Sequence, residues 1–233
     1  MKFLLLLVML TACAASPQDL SGKMFTFPQE TNRAHVRLNT SVEDLSTVTV
    51  CHRSFTDLMR DHVLFSLATP SDLNGFLTFW DEDTKEMEVH VKDRAAEFVG
   101  NDYKLNTWHS VCTTWDSATG LVQLWFDEQP SVRKFTSSGS GILETPIIIL
   151  GQEQDSYGGG FDAEQSFVGM MTDVHMWNYI LSPCEIHNYM DGLNFTPGNV
   201  LNWRALEFQI SGRVLIEDKI MSCHETLNEY QLH

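Results

Sequence analysis

The sequence predicts an all-β protein, an antiparallel two-sheet sandwich of the jelly-roll type with one short helix. Apolar residues recur mostly with a period of two, in short runs rich in β-branched and aromatic residues. Clusters of acidic residues, glycine and proline separate these runs as turn signals. A signal for the start of a helix occurs at one place, Ser182. Many short strands with one short helix are typical of two-layer antiparallel β-folds.

Six runs have the length and composition of β-strands, and a seventh is continuously apolar. The six runs are Thr47–Phe55, Val63–Ala68, Gly75–Trp80, Glu86–Val91, Trp108–Trp115 and Leu121–Phe126. The alternation in the fourth run predicts that Met87, Val89 and Val91 face a core while their neighbours face water. The seventh run, Ile147–Leu150, lacks alternation, as expected of a central strand that is buried on both faces.

The helix is predicted just after residue 181. Ser182 is a good N-cap, Pro183 suits the first helical position, and Glu185 completes a capping box. We expect the helix to extend to about Met190.

The chain begins with the pattern of a secretory signal peptide, residues 1–15. Lys2 precedes a short apolar core and then small residues, so cleavage after residue 15 is expected. The alternative is a bacterial lipoprotein signal with Cys13 lipidated. No later apolar run is long enough to span a bilayer. We therefore expect a secreted, extracellular protein whose residues 16–233 form one domain.

The acidic composition excludes some classes of partner. The formal net charge is −16, which repels nucleic acid and anionic membranes and favours cations. The hydrophobic content of 43% excludes a disordered chain.

A polar, glycine-rich loop follows Ile147–Leu150 and points to a metal site. Its oxygen-bearing side chains suit calcium, whereas zinc and copper prefer the thiolates and imidazoles that the loop lacks. Three consecutive glycines, 158–160, let the loop fold back, so that its two ends can face one ion. The alternative is a solvated acidic loop between two strands. The candidate ligands are Glu153, Gln154, Asp155, Asp162 and Gln165.

Four cysteines remain after signal removal, and in an oxidising compartment they allow two disulfides with three possible pairings. Cys51 and Cys112 both lie in the middle of predicted strands, where a bridge would tie separate parts of the core together. Cys184 and Cys223 would then anchor the C-terminal segment. The alternative is that one of these last two stays free or pairs between chains.

Several motifs together resemble the short pentraxins, the family of C-reactive protein and serum amyloid P component. The segment from His109 to Ser117 is similar to the family signature His-x-Cys-x-Ser/Thr-Trp, with one extra residue before the cysteine. The loop sequence GQEQDSYGG, from Gly151, and the run Val200–Leu206 are also similar to family sequences. The resemblance covers residues 24–216, with a C-terminal tail to residue 233.

The resemblance implies a flattened, lectin-like β jelly roll that assembles as a homopentamer, with two adjacent calcium ions per subunit as cofactors. Through these ions the family binds phosphocholine, phosphoethanolamine or anionic carbohydrates on cell and microbial surfaces. It implies that Cys51 pairs with Cys112 and that the five loop residues named above are calcium ligands, Gln154 through its carbonyl. Asp162 stands where members usually have glutamate, so its shorter side chain would weaken the second ion or draw the loop inward.

One departure concerns the second ligand strand, where the family carries an Asp-Asn pair. Asn74 matches, but Leu73 replaces the aspartate, and Asp72 comes one position early. Either a small shift of this loop brings Asp72 to the ion, or the first calcium loses a carboxylate and binds more weakly. Asp72 is our predicted ligand. The alternative is a simple turn residue after Pro70.

The ligand headgroup is less well indicated. Phe79 matches the aromatic residue that contacts choline in the family, but no acid clearly matches its partner, and Glu88 and Glu97 are weak candidates. The alternative for Phe79 is a core aromatic. Asp127 matches an acid implicated in complement recognition, and a plain turn residue is equally compatible. Two glycosylation sequons begin at Asn39 and Asn194.

The function expected from these features is a secreted, calcium-dependent pattern-recognition protein of innate immunity, and not an enzyme. The main alternative is a jelly-roll glycoside hydrolase that uses Glu153 and Asp155 as its two carboxylates. Against it, the pair enters a glycine-rich loop, and Tyr157 stands where a third alternating carboxylate is expected. His109 is more typical of a structural strand residue than of a base. A further alternative is a secreted scaffold whose calcium site Leu73 has disabled.

Overall fold

The computed structural model describes residues 16–219. The predicted signal peptide, Cys13, and the C-terminal segment with Cys223 lie outside these residues. The chain forms fifteen strands, one α-helix and two short 3-10 turns within residues 16–219. In chain order these are β1 (Lys23–Phe27), β2 (His35–Leu38), β3 (Thr47–Phe55), β4 (His62–Ala68), β5 (Phe76–Asp81), β6 (Glu86–Val91), β7 (Arg94–Phe98), β8 (His109–Asp116), β9 (Leu121–Phe126), β10 (Gln129–Pro130), β11 (Lys134–Phe135), β12 (Ile147–Leu150), a 3-10 turn (Ala163–Gln165), β13 (Gly169–Trp177), α1 (Pro183–Met190), a second 3-10 turn (Trp203–Ala205), β14 (Phe208–Ser211) and β15 (Leu215–Asp218).

The strands form two antiparallel sheets, so the predicted fold class is confirmed. The eight-stranded sheet has the order β10-β9-β8-β3-β13-β1-β15, with β11 also paired to β9. The seven-stranded sheet has the order β14-β2-β12-β4-β5-β6-β7. Each predicted strand is present, with its ends within one residue of the prediction. No helix within residues 16–219 is long and apolar enough to cross a membrane.

The hydrophobic core lies between the two sheets and follows from the period-two pattern. In β6, Met87, Val89 and Val91 are fully buried while the alternate residues are partly exposed, as predicted. The core continues through Val50 of β3 and Val111 of β8 in the opposite sheet. Removal of an aliphatic or aromatic side chain of this kind from water contributes about 1.5–3 kcal/mol to folding.

A second, smaller apolar cluster holds α1 against the outer face of the eight-stranded sheet. Cys51 and Cys112 are cross-strand partners in β3 and β8, and they form the disulfide that the resemblance implied. Their side chains point away from the core residues Val50 and Val111, and they contact the buried face of α1. Closing a loop of 61 residues contributes about 4 kcal/mol in the chain-entropy model.

The helix begins at the predicted N-cap, but the predicted capping box does not form, because the Glu185 carboxylate accepts from the Thr196 N–H at 3.1 Å. The Ser182 hydroxyl accepts a hydrogen bond from the Glu185 N–H at 3.3 Å, and proline occupies the first turn. Cys184 is exposed in that turn. Its pairing with Cys223 stays a prediction, because the second cysteine lies outside the described residues.

Three histidines are buried in the fold, and their surroundings would do little to stabilise a positive charge on the imidazole ring. Burial lowers the pKa of His52, His62 and His175 to about 4 in each case. Two of them make hydrogen bonds through ring nitrogens. The His62 ring contacts the Arg60 carbonyl at 2.8 Å and the Tyr103 hydroxyl at 3.0 Å, and His175 Nδ1 accepts from the Gly198 N–H at 3.2 Å. Neither ring nitrogen of His52 makes a hydrogen bond within the described part of the chain. All three histidines favour the folded state only while they are neutral.

We predict that His52→Leu reduces the acid sensitivity of the protein. The unfolded chain takes up a proton on His52 as the pH falls below about 6.5, whereas the folded chain does so only near pH 4. Wild type should therefore lose about 2 kcal/mol more than the variant between pH 7.5 and 4.5. Chemical denaturation at both pH values measures this difference. Thr113→Val, at a buried position in β8 that does not titrate, should keep the wild-type sensitivity, and an equal loss in His52→Leu would contradict the prediction.

Candidate metal site

The candidate site is built from two loops, residues 151–168 after β12 and residues 69–75 after β4. The longer loop carries the chain from the seven-stranded to the eight-stranded sheet. It leaves β12 at Gly151, whose φ is 92° and whose added Cβ would lie 2.4 Å from the Phe27 ring. Glycine is therefore required for the loop to turn here.

Gln154 fixes the first half of the longer loop on the outer face of the seven-stranded sheet. Its side-chain amide donates to the Ser66 hydroxyl at 3.1 Å and the Ile147 carbonyl at 3.0 Å, and its Oε1 accepts from the Gly158 N–H at 3.1 Å. Ser66 alternates with the core residues Phe65 and Leu67, so it faces outward. Because the side chain of Gln154 is occupied by these hydrogen bonds, its backbone carbonyl is the group better placed to bind an ion, and this role stays a prediction.

A tight turn brings the loop back against Asp155. Ser156 and Gly159 exchange two backbone hydrogen bonds of 3.1 and 2.9 Å. Gly160 follows with a φ of 75°, and a Cβ on it would lie 2.8 Å from the Asp155 Cβ and from the Ser156 nitrogen. The absence of a side chain at position 160 therefore sets how closely the returning chain approaches Asp155.

The second half of the loop is a short 3-10 turn held by Arg60. Asp162 caps the turn, because its Oδ1 accepts from the Glu164 N–H at 3.0 Å. Arg60 donates to the carbonyls of Glu164 at 2.7 Å and Ser166 at 2.8 Å. Asp162 and Gln165 line a cleft of about 600 Å³ beside Arg60.

The shorter loop positions Asn74 through a contact that the sequence did not reveal. The Asn74 N–H donates to the Asp93 carboxylate at 2.7 Å, and the Asp93 N–H donates back to the Asn74 carbonyl at 3.1 Å. Asp93 lies in the turn between β6 and β7 with a φ of 60°. An aspartate in a turn was the available signal, but its partner depends on how the strands pair. Asp72 accepts a hydrogen bond from Ser71 at 3.1 Å with one carboxylate oxygen.

Three of the predicted ligands have buried oxygens without hydrogen bonds in the described chain. They are Asn74 Oδ1, Glu153 Oε2 and Gln165 Oε1. A buried acceptor without a partner costs about 1–3 kcal/mol, so a cation among these atoms would recover that energy. Burial, and then the neighbouring Asp155 carboxylate, raises the pKa of Glu153 to about 7. Hard oxygen donors that lack a neighbouring positive charge are suited to bind calcium.

The carboxylates of the candidate site do not form a tight group of three, although Glu153 and Asp155 are neighbours. Within residues 16–219, ligand atoms of three His, Cys, Asp or Glu side chains lie within 4.8 Å of one another at one place, the exposed group Glu128, His187 and Asp191. Asp72 therefore does not join Glu153 and Asp155 in so tight a group. Amide and carbonyl oxygens must supply part of any ion's coordination here.

Phe79 shares the outer face of the seven-stranded sheet with the candidate site. It lies two residues beyond Leu77, the cross-strand partner of Ser66, so both side chains point outward. Phe79 is 9% exposed and is directly opposite Glu88, which is opposite Glu97. The two acids that the sequence indicated weakly thus stand in one cross-strand row with this aromatic ring.

The remaining candidate residues lie elsewhere. Both carboxylate oxygens of Asp127 have internal partners, the His109 ring at 2.6 Å and the Ser110 N–H at 2.8 Å. His109 is buried in β8, as expected of a structural residue. Asn39 is partly exposed at the end of β2, and Asn194 is exposed after α1. Glycosylation of these two sites, like the role of Asp127 in complement binding, stays a prediction.

Comparisons with known proteins identify the family. The model of the Pentaxin family, the pentraxins, matches residues 23–218. The chain belongs to the pentraxin family. It is 38% identical to serum amyloid P-component of Sus scrofa over 210 residues, which cover 90% of this chain and 93% of that protein. It is 41% identical to C-reactive protein of Mus musculus over 208 residues, 88% of this chain and 91% of that protein.

A solved structure of a pentraxin has the same fold. The native heptameric SAP-like pentraxin from Limulus polyphemus superposes with a TM-score of 0.78 at 23% identity, and the match covers 88% of this chain and 99% of that one. The predicted resemblance is thus confirmed. Pentraxins such as C-reactive protein and serum amyloid P-component are binding proteins without enzymatic activity, so the glycoside hydrolase alternative is excluded.

We predict that Gly160→Ala destabilises the protein more than Gly100→Ala does. Both glycines have positive φ, 75° and 82°, so each alanine meets a similar backbone cost of about 1 kcal/mol. A Cβ at position 100 meets nothing within 4 Å, whereas one at position 160 must displace Asp155. Denaturant unfolding without calcium should show the additional loss in Gly160→Ala. Equal losses would mean that the loop adapts freely.

Proposed function

We propose that this pentraxin is a secreted, calcium-dependent pattern-recognition protein of innate immunity. The observation that supports the proposal is the set of buried oxygens without hydrogen-bond partners in the described chain, which three candidate ligands from the two loops carry. Two ions per subunit are held by Glu153, Asp155, the Gln154 carbonyl, Asp162, Gln165, Asn74 and Asp72.

In the two loops, some side chains hold the backbone in place and others carry the negative charge that binds the ion. Gln154 and Asp93 hold the backbones of the two loops through neutral and charged hydrogen bonds, so the ligand oxygens are positioned before an ion arrives. Bound calcium supplies a positive centre that accepts the phosphate or acidic sugar oxygens of the ligand. Glu153 and Asp155 together carry the negative charge that retains the ion.

The row of Phe79, Glu88 and Glu97 supports phosphocholine as a ligand. A quaternary ammonium gains cation–π attraction over an aromatic ring, and a nearby carboxylate adds to it. Glu88 is directly opposite Phe79, while the His90 ring contacts its carboxylate at 2.8 Å and keeps it at the strand surface. The phosphate would meet the ions while the choline group lies over this row.

Assembly would make weak single sites effective. We propose a closed homo-oligomer, a pentamer on the family pattern; the Limulus relative is described as heptameric. A ring presents the same outer face from every subunit, so several sites engage a repetitive surface at once.

We predict that calorimetric titration of the mature protein finds two calcium ions per subunit and that Glu153→Gln weakens them at least tenfold. The substitution removes a charged ligand from a buried position, and affinity follows ligand charge. Glu164→Gln is the matched control, because the side chain of this exposed acid in the same loop makes no hydrogen bond or ion pair within residues 16–219, so affinity should be unchanged. No uptake at millimolar calcium would instead indicate a scaffold that Leu73 has disabled.

At saturating calcium, Glu88→Gln should weaken phosphocholine binding several-fold, a cost of about 1 kcal/mol, and leave calcium uptake unchanged. Glu86→Gln, on the same strand face but paired with Asp81, should bind like wild type. Competition between phosphocholine and choline-free phosphate, followed by calorimetry, makes the comparison. If Glu88→Gln binds phosphocholine normally, the choline group lies elsewhere.

A further inference from the structure

The loop between β4 and β5 offers little negative charge to an ion beside Asn74. Its neighbour Leu73 has no oxygen in its side chain, and Asp72 comes one position early in the chain. One carboxylate oxygen of Asp72 already accepts a hydrogen bond from Ser71 at 3.1 Å. Within residues 16–219, Asp72 joins no tight group of three carboxylate, imidazole or thiolate ligands. Because calcium affinity follows the charge of the ligands, a site at Asn74 would gain from a carboxylate on another segment.

The turn between β6 and β7 brings such a carboxylate to Asn74. Asp93 accepts a hydrogen bond from the Asn74 N–H at 2.7 Å, and the Asp93 N–H donates to the Asn74 carbonyl at 3.1 Å. A third hydrogen bond joins the Lys92 N–H to the Gly75 carbonyl at 3.2 Å. Hydrogen bonds to an ionised carboxylate are about twice as strong as those between neutral groups. The backbone of Asn74 is therefore fixed from outside its own loop.

The hairpin that carries Asp93 sets the position of its carboxylate. Val91 and Arg94 are cross-strand partners, so only Lys92 and Asp93 form the turn. Both have positive φ, 52° and 60°, as in the type I′ turns that match the twist of β-hairpins. Aspartate adopts this backbone conformation more readily than most residues do. Because the turn is short and paired on both sides, Asp93 holds Asn74 from a rigid element.

The contact leaves the side chain of Asn74 available. Asp93 binds the backbone of Asn74, whereas the Asn74 Oδ1 is buried without a hydrogen-bond partner in the described chain. The second carboxylate oxygen of Asp93 makes neither a hydrogen bond nor an ion pair within residues 16–219. The negative charge of Asp93 is therefore uncompensated there, next to a residue whose side-chain oxygen lacks a partner.

We propose that Asp93 is a positioning residue for the calcium ion at Asn74, and that its charge replaces the charge that Leu73 does not supply. Asp93 joins no tight group of three with Glu153 and Asp155 in the described part of the chain, so it acts through Asn74 rather than as a ligand. It fixes the Asn74 backbone before the ion binds, and its carboxylate attracts the cation across Asn74. The inference rests on the calcium-dependent function proposed above.

Two substitutions of Asp93 in the full mature protein separate its charge from its hydrogen bond. Asp93→Gly suits the positive φ but removes both, so calorimetry should find one of the two calcium ions bound about tenfold more weakly. Asp93→Asn keeps an oxygen that accepts from the Asn74 N–H, and it should lose less, roughly threefold. Glu144→Gln is the matched control and should bind both ions like wild type. The Glu144 carboxylate holds the same loop, but through the Ser71 N–H at 3.2 Å rather than through a candidate ligand.

A second-site substitution tests whether Asp93 offsets Leu73. Leu73→Asp in the Asp93→Gly background should recover calcium affinity to within about threefold of wild type, because it again places a carboxylate next to Asn74. A residue with a purely structural role would not be rescued by a new charge on the neighbouring loop.

The positioning is measured without calcium. In EDTA, hydrogen exchange of residues 69–76, followed by mass spectrometry, should include one amide that exchanges about tenfold faster in Asp93→Gly than in wild type. Asp93→Asn should exchange at nearly the wild-type rate, because its side-chain oxygen still accepts from the Asn74 N–H.

The outcomes separate the role of Asp93 from calcium binding as such. If wild type takes up two ions and Asp93→Gly binds both with unchanged affinity, the role of Asp93 is overturned while calcium-dependent binding stands. Equal weakening in Glu144→Gln, or an unchanged exchange rate in Asp93→Gly, would also overturn that role. If wild type takes up no calcium, the proposed function fails, and the role of Asp93 fails with it.

Discussion

The apolar layer between the two sheets determines where this protein can carry polar chemistry. The inward-facing positions of β3, β6 and β8 carry mainly apolar side chains, and burial among them lowers the pKa of His52 to about 4. Ligand groups are therefore confined to the two outer faces and to the loops at strand ends. One outer face carries the candidate metal site and the row of Phe79, Glu88 and Glu97. The other carries α1 and the cavity near it.

The two outer faces differ in how their charged side chains are compensated. At the candidate metal site, Glu153 and Asp155 lie close together without a compensating cation, and neutral amides such as that of Gln154 hold the loop in place. This arrangement favours an added positive charge. In the cavity near α1, Arg53 and Lys219 both pair with Asp173, so opposite charges there compensate one another. Asp173 and three glycines of the loop after β12 have positive φ, so both regions depend on unusual backbone geometry.

The sequence was sufficient for the fold class, the strand positions and the helix start, because alternation and capping are local signals. The candidate ligands of the loop came from the family motif, which is also local in the chain, and they stay predictions. What the sequence did not reveal depends on pairing between distant segments. Asp93 supports Asn74 only because the β6–β7 turn lies beside the β4–β5 loop, and Glu88 stands opposite Phe79 only in the observed register. Arg53, Asp173 and Lys219 are far apart in sequence and meet only in the folded protein. Leu73 remains a departure that no contact of Asp72 resolves.

The position of the disulfide has a kinetic consequence. Cys51 and Cys112 are fully buried between the sheet and α1, so a reducing agent cannot reach the sulfur atoms while the helix is docked. Thiolate attack requires direct access to sulfur along the bond, and a local opening must come first. The rate at which the bridge is reduced in the native protein therefore measures how often α1 lifts from the sheet. The same helix forms one wall of the cavity that Arg53 and Lys219 line, so any molecule that fastens it there would also shield the bridge.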